Sequence, residues 1–280
     1  MQAVLPTVAP FVGYVALESP SGGVNTQPLF WALFKQLLDT FVDATVGASA
    51  DTVCGNGSGH ALRRHAMISL PAQDREYAYN CLQEFFTLYE VDRATPETYH
   101  QVVDRCWALI QEEVEESYEA QGKLIFCDFD QTVDRLADFA KELADVLYVC
   151  EYARYALNLP MIHEATSWDV LHRGELADQV ERSFKILKAV PDTRNMLAAA
   201  YDINALENEV YYAACVRNIP MRAVFGEVHR SNLDKLWEDG TVHRDERGKV
   251  IKPPTWQPPD IRSLLVRHLE SLPFNPYPIP

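Results

Sequence analysis

The sequence predicts an all-α helical bundle followed by a Pro-rich strap, and three observations support this. From about residue 76 to residue 236, apolar residues recur at spacings of three and four, the period of an amphipathic helix. The same stretch shows no recurring alternation of strands with helices, so a parallel sheet is not expected. Eight of the 17 prolines lie in residues 252–280, which predicts an extended strap with one short helix inside it.

The amino-acid composition and net charge limit the classes of molecule that this protein is expected to bind. The 280 residues are 48% hydrophobic and 23% charged, which is typical of a globular chain of one or two domains. The 40 acidic residues exceed the 25 Lys and Arg residues by 15. Because so acidic a chain repels phosphate backbones and anionic lipids, we expect neither a nucleic-acid nor a membrane partner. We also expect any bound phosphate to need divalent cations.

The cysteines and the N-terminal residues predict a cytoplasmic protein. The six cysteines lie at least 21 residues apart with no CxxC pair, so neither a zinc ribbon nor a disulfide framework is expected. The first 20 residues lack a basic segment, and the apolar stretch Leu29–Val46 contains charged residues. We therefore expect neither a signal peptide nor a membrane span.

Individual helices follow from the apolar spacing. Within an N-terminal extension, 1–75, residues 1–25 are expected to be an irregular arm and the stretch 28–46 an amphipathic helix. In the helix that follows 75–91, Thr95 and Pro96 are the expected N-cap and first helical residue. The predicted helices after residue 75 cover 75–91, 95–122, 134–160, 175–190, 193–218 and 220–236.

Acidic residues are concentrated in two of these helices. An acidic run usually marks a solvated face, but Glu113 and Glu142 border the apolar stripes of their helices. An unpaired carboxylate there is costly. Residues three apart share a helix face, so Glu116 accompanies Glu113 and Asp145 accompanies Glu142. Four carboxylates from two helices have the hard-oxygen character that Mg²⁺ or Mn²⁺ prefers.

These residues also carry a family resemblance. The pattern EExxE at 112–116, followed by ExxD at 142–145, resembles the metal motif of the MazG-like all-α nucleoside triphosphate pyrophosphohydrolases. Residues 225–261 resemble the C-terminal signature of the phosphoribosyl-ATP-pyrophosphohydrolase-like branch, which is often found in phages. Residues 81–120 resemble the N-terminal helices of that branch. Together the similar segments cover roughly half of the chain.

The resemblance implies an activity and its residues. It implies a homo-oligomer (dimer or tetramer) that uses two or three Mg²⁺ or Mn²⁺ ions to convert a (d)NTP to a (d)NMP and pyrophosphate. A phage-type enzyme would act in the host cytoplasm and favours a purine substrate such as dGTP. The implied metal ligands are Glu113, Glu116, Glu142 and Asp145, and the implied catalytic residues are Glu112, which assists or acts on water, and Glu116. The implied phosphate or sugar contacts are Asn232 and Lys235, followed by Arg230, His229 and Lys252.

The chain departs from the family by an insertion. About 60 residues separate the helix containing ELADVLYV from the segment EVHRSN. Within them Tyr212–Met221 repeats Tyr152–Met161 at Tyr, Ala, Asn, Pro and Met, through either duplication or two helices that end alike. The predicted layout is an N-terminal extension (1–75), a MazG-like helical domain (76–262) with an insertion at about 162–206, and a Pro-rich tail (263–280).

Two alternatives remain. The segment LIFCDFDQTV resembles the nucleophile motif of haloacid-dehalogenase-like phosphatases, in which Asp128 would be the nucleophile and Asp130 the general acid. That fold needs Asp128 at the end of a parallel strand, followed by alternating helices and strands. The other alternative is a non-catalytic helical adaptor or nucleotide-binding protein whose acidic helices bind a partner.

Overall fold

The computed structural model describes residues 71–91, 93–162, 173–244 and 250–273. The predicted N-terminal arm and amphipathic helix lie outside the described residues, as does the end of the Pro-rich tail.

Helices account for most of this part of the chain, and it contains no β-strand, so the prediction of an all-α fold is confirmed. One isolated antiparallel bridge joins Arg244 and Val250. None of the described helices combines the length and the apolar character needed to cross a lipid bilayer. The helices are α1 (Ala72–Leu88), α2 (Tyr99–Ile125), a 3-10 turn (Phe129–Gln131), α3 (Thr132–Ala156), α4 (Arg173–Ala189), α5 (Thr193–Cys215), α6 (Met221–Leu233) and α7 (Ile261–Ser271).

Helix α3 lies at the centre of the bundle. It packs against α1, α2, α5, α6 and α7, and α4 packs against both α2 and α5. The predicted apolar stripe of α3 is buried along its whole length, as expected for a helix surrounded by others. Its members are Leu136, Phe139, Leu143, Val146, Leu147 and Cys150.

The prediction for the start of α2 is wrong by three residues. Residues 96–98 form a turn, and the helix begins at Tyr99. The backbone N–H of Thr95 donates to Thr98 Oγ1 at 2.9 Å, and the N–H of Thr98 donates to the Thr95 carbonyl at 3.1 Å. These local bonds compete with helix formation, because they satisfy the same backbone groups.

The repeat at an offset of 60 marks two helices with the same C-terminal cap. Asn158 after α3 and Asn218 after α5 both adopt positive φ, at 53° and 54°. The next N–H donates to the carbonyl five residues earlier, at 2.9 Å for Leu159 and 3.0 Å for Ile219. This is a Schellman motif, in which Asn tolerates the left-handed conformation and the following apolar residue is buried. The cap accounts for the shared Asn, and the shared Pro fits a helix that stops there.

A buried ionic network joins α1, α3 and α5. Arg154 Nη2 donates to both carboxylate oxygens of Glu207 at 2.8 Å, and Arg75 donates to the same carboxylate. Glu151 lies 3.3 Å from Arg154 Nε. All four side chains are almost fully buried. Burial and the nearby Glu207 raise the pKa of Glu151, so the ionic links that join the three helices are those of Arg75 and Arg154 with Glu207.

The C-terminal strap packs against α6, and its described residues, 252–273, contain one short helix, α7, as predicted. Trp256 Nε1 donates to the Ser231 carbonyl at 2.8 Å, and Ser231 Oγ donates to the Gln257 carbonyl at 3.1 Å. Lys252 Nζ lies 3.7 Å from the centroid of the Trp256 ring. The strap therefore carries Lys252 to the C-terminal half of α6.

Candidate metal centre

Three carboxylates from neighbouring helices meet in the bundle. Glu113 belongs to α2, whereas Glu142 and Asp145 belong to α3, where they are three residues apart and share a face. One oxygen from each of the three lies within 4.8 Å of the others. All three side chains are half-buried. This group, called the carboxylate centre below, offers oxygen ligands to one hard divalent cation.

The electrostatics of the centre favour a bound cation. Burial, together with the nearby charges of Asp145 and Glu116, raises the pKa of Glu113 to about 8. Burial also raises the pKa of Glu142. Among the described residues, no donor reaches the buried Oε2 atom of Glu142. A buried acceptor without a partner is costly, and a metal ion would satisfy it, so the residues present fit Mg²⁺ or Mn²⁺.

Lys141 is an internal counter-ion that the sequence analysis missed. Its Nζ atom donates to Glu142 Oε1 at 2.9 Å and to Asp145 Oδ2 at 2.7 Å. Burial disfavours the ammonium ion, but the two carboxylates outweigh this and raise the pKa of Lys141. The i, i+4 spacing of Lys141 and Asp145 was the available signal. A divalent cation at the centre therefore meets a positive charge already in contact with two of its ligands.

The other predicted acidic residues lie at the edge of the centre. Glu112 and Glu116 are both exposed on α2. The charge of Glu116 raises the pKa of Glu113 and Glu142, so it acts on the centre from outside the group of three. The structure thus brings together three of the four predicted metal ligands and leaves the fourth beside them.

Three of the predicted phosphate contacts, Lys235, Asn232 and Lys252, lie near one another. Lys235 is half-buried and donates from Nζ to Asn232 Oδ1 at 2.6 Å. Burial and the neighbouring ammonium of Lys252 lower its pKa, while Asp145 and Glu113 act in the opposite direction. Lys235 therefore lies within electrostatic reach of the carboxylate centre, with Asn232 and Lys252 as its neighbours.

The two remaining predicted phosphate contacts, Arg230 and His229, bind other side chains of the protein. Arg230 is exposed and pairs with Glu227 at 2.7 Å and with Asp234. His229 is only 6% exposed. It bridges Glu84 and the buried phenol of Tyr148. Arg230 thus pairs with carboxylates on or beside its own helix, and His229 lies in the interior.

The structure does not provide the geometry that the phosphatase alternative requires. Asp128 and Asp130 are exposed in the connection between α2 and α3. Ile125 ends a helix, and no strand exists in the described ranges to carry Asp128 at its end. Asp128 precedes the 3-10 turn without a side-chain cap bond.

Comparison with protein-family models, with curated proteins and with solved structures finds no match in any of the three. The resemblance to the pyrophosphohydrolases therefore stays a prediction, and function has to be inferred from the site itself.

Proposed function

We propose that this chain is a metal-dependent nucleoside triphosphate pyrophosphohydrolase, which converts a (d)NTP to a (d)NMP and pyrophosphate. The observation that carries the proposal is the approach of Glu113, Glu142 and Asp145 to within 4.8 Å of one another. A half-buried lysine, Lys235, lies close enough for its pKa to respond to two of these carboxylates. Carboxylates beside a lysine suit a substrate that carries phosphates and metal ions together.

Glu113, Glu142 and Asp145 would hold Mg²⁺ or Mn²⁺, and Glu116 would complete the ligand set. The unpartnered Oε2 atom of Glu142 supports this assignment. When bound, such ions neutralise the charge of the triphosphate, polarise its phosphoryl oxygens and lower the pKa of an attacking water. An all-oxygen ligand set suits these metals better than softer ones.

The chain's own residues would divide the remaining work. Lys235 and Lys252 would attract phosphate oxygens, and the attraction is stronger for Lys235 because it is half-buried. The amide of Asn232 would keep the ammonium of Lys235 in place. Glu112 and Glu116 are exposed on α2 within one turn of Glu113, so either would be placed to accept a proton from an attacking water.

The finer parts of the proposal rest on the resemblance alone. They are a preference for a purine deoxynucleotide such as dGTP and a homo-oligomeric assembly. Nucleotide profiling and light scattering address them separately.

The decisive experiment is a panel of the eight standard NTPs and dNTPs with Mg²⁺ or Mn²⁺, with products separated by ion-exchange chromatography. We expect equal amounts of monophosphate and pyrophosphate, and loss of at least 100-fold in rate for Asp145→Asn, which removes one ligand charge. Asp178→Asn, the same change at an exposed position on α4, should keep the wild-type rate. Orthophosphate release, or no turnover with either metal, would contradict the proposal.

A further inference from the structure

A series of hydrogen-bonding side chains runs from the protein surface to Lys235, whose pKa responds to two residues of the carboxylate centre. It begins at Glu84 on α1, whose Oε2 lies 3.3 Å from His229 Nε2 on α6. His229 Nδ1 lies 3.4 Å from the hydroxyl of Tyr148 on α3. The side chain of Asn232 interacts with the Tyr148 hydroxyl as a donor and, against the larger effect of burial, lowers the pKa of Tyr148, and Asn232 Oδ1 accepts from Lys235 Nζ at 2.6 Å. We call these five residues the Glu84–Lys235 chain.

The chemistry of the groups sets the direction of each bond. The carboxylate of Glu84 only accepts, so Nε2 of His229 carries a hydrogen. At the other end the Oδ1 atom of Asn232 accepts from Lys235. The interaction with Asn232 lowers the pKa of Tyr148, as a donor to the phenol oxygen does, so the amide nitrogen of Asn232 is the donor. The Tyr148 hydroxyl hydrogen is then directed to His229 Nδ1. In this arrangement the donors all point from Lys235 toward Glu84.

The middle of the Glu84–Lys235 chain is enclosed by other side chains. Tyr148 is 8% exposed, and its ring centroid lies 5.6 Å from those of both Phe225 and Phe85. Burial raises the pKa of Tyr148 strongly, so the phenol stays neutral and available as a donor. In such surroundings a lost hydrogen bond is not readily replaced by water.

The main chain of Asn232 is anchored as well. Its carbonyl accepts from the hydroxyl of Tyr89 at 2.7 Å. With the backbone held by Tyr89, the remaining freedom of Asn232 is rotation of its side chain. The bond to Tyr148 restricts that rotation, and the orientation of the amide in turn decides where Lys235 finds its acceptor.

We propose that His229 is a positioning residue. It accepts a hydrogen bond from the Tyr148 hydroxyl and thereby fixes the orientation of the Asn232 amide. Through that amide it places the Lys235 ammonium beside the carboxylate centre. The consequence for phosphate binding rests on the proposed function, whereas the orientation of the Asn232 side chain can be tested without it.

Two nearly isosteric variants separate positioning from simple packing. His229→Asn keeps an oxygen acceptor close to the position of Nδ1, whereas His229→Leu has the same shape without an acceptor. Both lose the contact with Glu84. In a ¹H–¹⁵N spectrum of the full chain, the Asn232 side-chain amide, assigned by its absence in Asn232→Ala, should keep its wild-type position in His229→Asn. It should move in His229→Leu.

Kinetic and binding measurements provide a second test of the positioning role. With the fastest nucleotide of the panel and Mg²⁺, His229→Leu should raise KM and weaken the binding of inorganic pyrophosphate about tenfold, as expected when a charged hydrogen-bonding group loses its fixed place. His229→Asn should stay within about threefold on the same scale. His100→Leu, at an exposed position about 20 Å from Glu113 along α2, should match the wild type.

An unmoved Asn232 amide in His229→Leu, or equal effects of the two variants, would overturn the positioning role. If the wild type turned over no nucleotide, the proposed function would fail on its own. The amide spectrum would still decide whether His229 orients Asn232.

Discussion

Lys141 Nζ lies 2.7 Å from Asp145 Oδ2, so an ammonium ion of the chain contacts the carboxylate centre directly. The two residues are one helical turn apart on α3, and the same Nζ also donates to Glu142. Like charges repel, so this arrangement makes Lys141 a competitor of any divalent cation that uses these carboxylates.

Replacing Lys141 should therefore tighten metal binding. We expect Lys141→Met to increase the affinity for Mn²⁺ by roughly fivefold to tenfold at pH 8.5, since it removes one positive charge next to two ligands. Titration calorimetry measures the change without relying on activity. Lys123→Met, which breaks an exposed pair with Glu119 on α2, is the matched control and should change nothing. Weaker binding by Lys141→Met would mean that the ammonium supports the metal.

Metal affinity should depend on pH through Glu113. Its pKa is raised to about 8, so at pH 7 most of the protein carries a proton that the metal has to displace. The apparent affinity for Mg²⁺ should rise by up to about tenfold per pH unit between pH 6 and 8 and level off above that. Calorimetry in buffers of different ionisation enthalpy should count about one proton released at pH 7 and almost none at pH 9.

The matched variant for this pH dependence is Glu113→Gln, which has the same shape and no titrating carboxylate. Its affinity should be lower, and the rise between pH 6 and 8 should largely disappear. A slope that persisted in Glu113→Gln would assign the proton to another group of the centre.

Breaking the buried ionic network should destabilise the fold. Arg154→Met leaves the carboxylates of Glu207 and Glu151 short of a buried partner, and we expect a loss of about 3–5 kcal/mol in the free energy of unfolding. Urea denaturation followed by circular dichroism measures it. Lys185→Met removes an exposed pair with Glu181 on α4, and its cost should stay below about 1 kcal/mol. Equal losses in the two variants would show that burial does not set the strength of the network.

The cap after α5 offers a backbone test. Asn218 is exposed and has φ of 54°, a conformation that Gly adopts freely and Ala resists. Asn218→Ala should cost about 1 kcal/mol of stability, whereas Asn218→Gly should lie within about 0.5 kcal/mol of the wild type. Thermal unfolding of the two variants provides the comparison. If Ala were tolerated as well as Gly, the left-handed cap would not be maintained in solution.

Local sequence patterns predicted the helices well where the interactions that stabilise them join residues close together in the sequence. The stripe from Leu136 to Cys150 is periodic, so both the existence of α3 and its buried face could be inferred. The start of α2 could not, because the bonds between Thr95 and Thr98 offer an equally local alternative to the cap.

The carboxylate centre was predictable only in part. Helical spacing puts Glu142 and Asp145 on one face, but the same kind of spacing also brings Lys141 close to Asp145. No sequence pattern indicates which of these contacts dominates. His229 was expected among the phosphate contacts because it stands in the segment EVHRSN. Its burial depends on Tyr148, 81 residues earlier. The partner of Arg154 is Glu207, 53 residues later on α5, and no local signal marks that pair.

By itself, the sequence determined the all-α fold of the described residues, the buried face of α3 and the acidic composition, because these depend on periodicity and charge within a few turns of helix. The tertiary structure alone decided that Glu113 meets Glu142 and Asp145, that His229 joins Glu84 to Tyr148, and that two arginines share Glu207. The physical reason is that each of these contacts joins different helices. Which side chains meet there depends on how the helices pack, and packing is a property of the whole core.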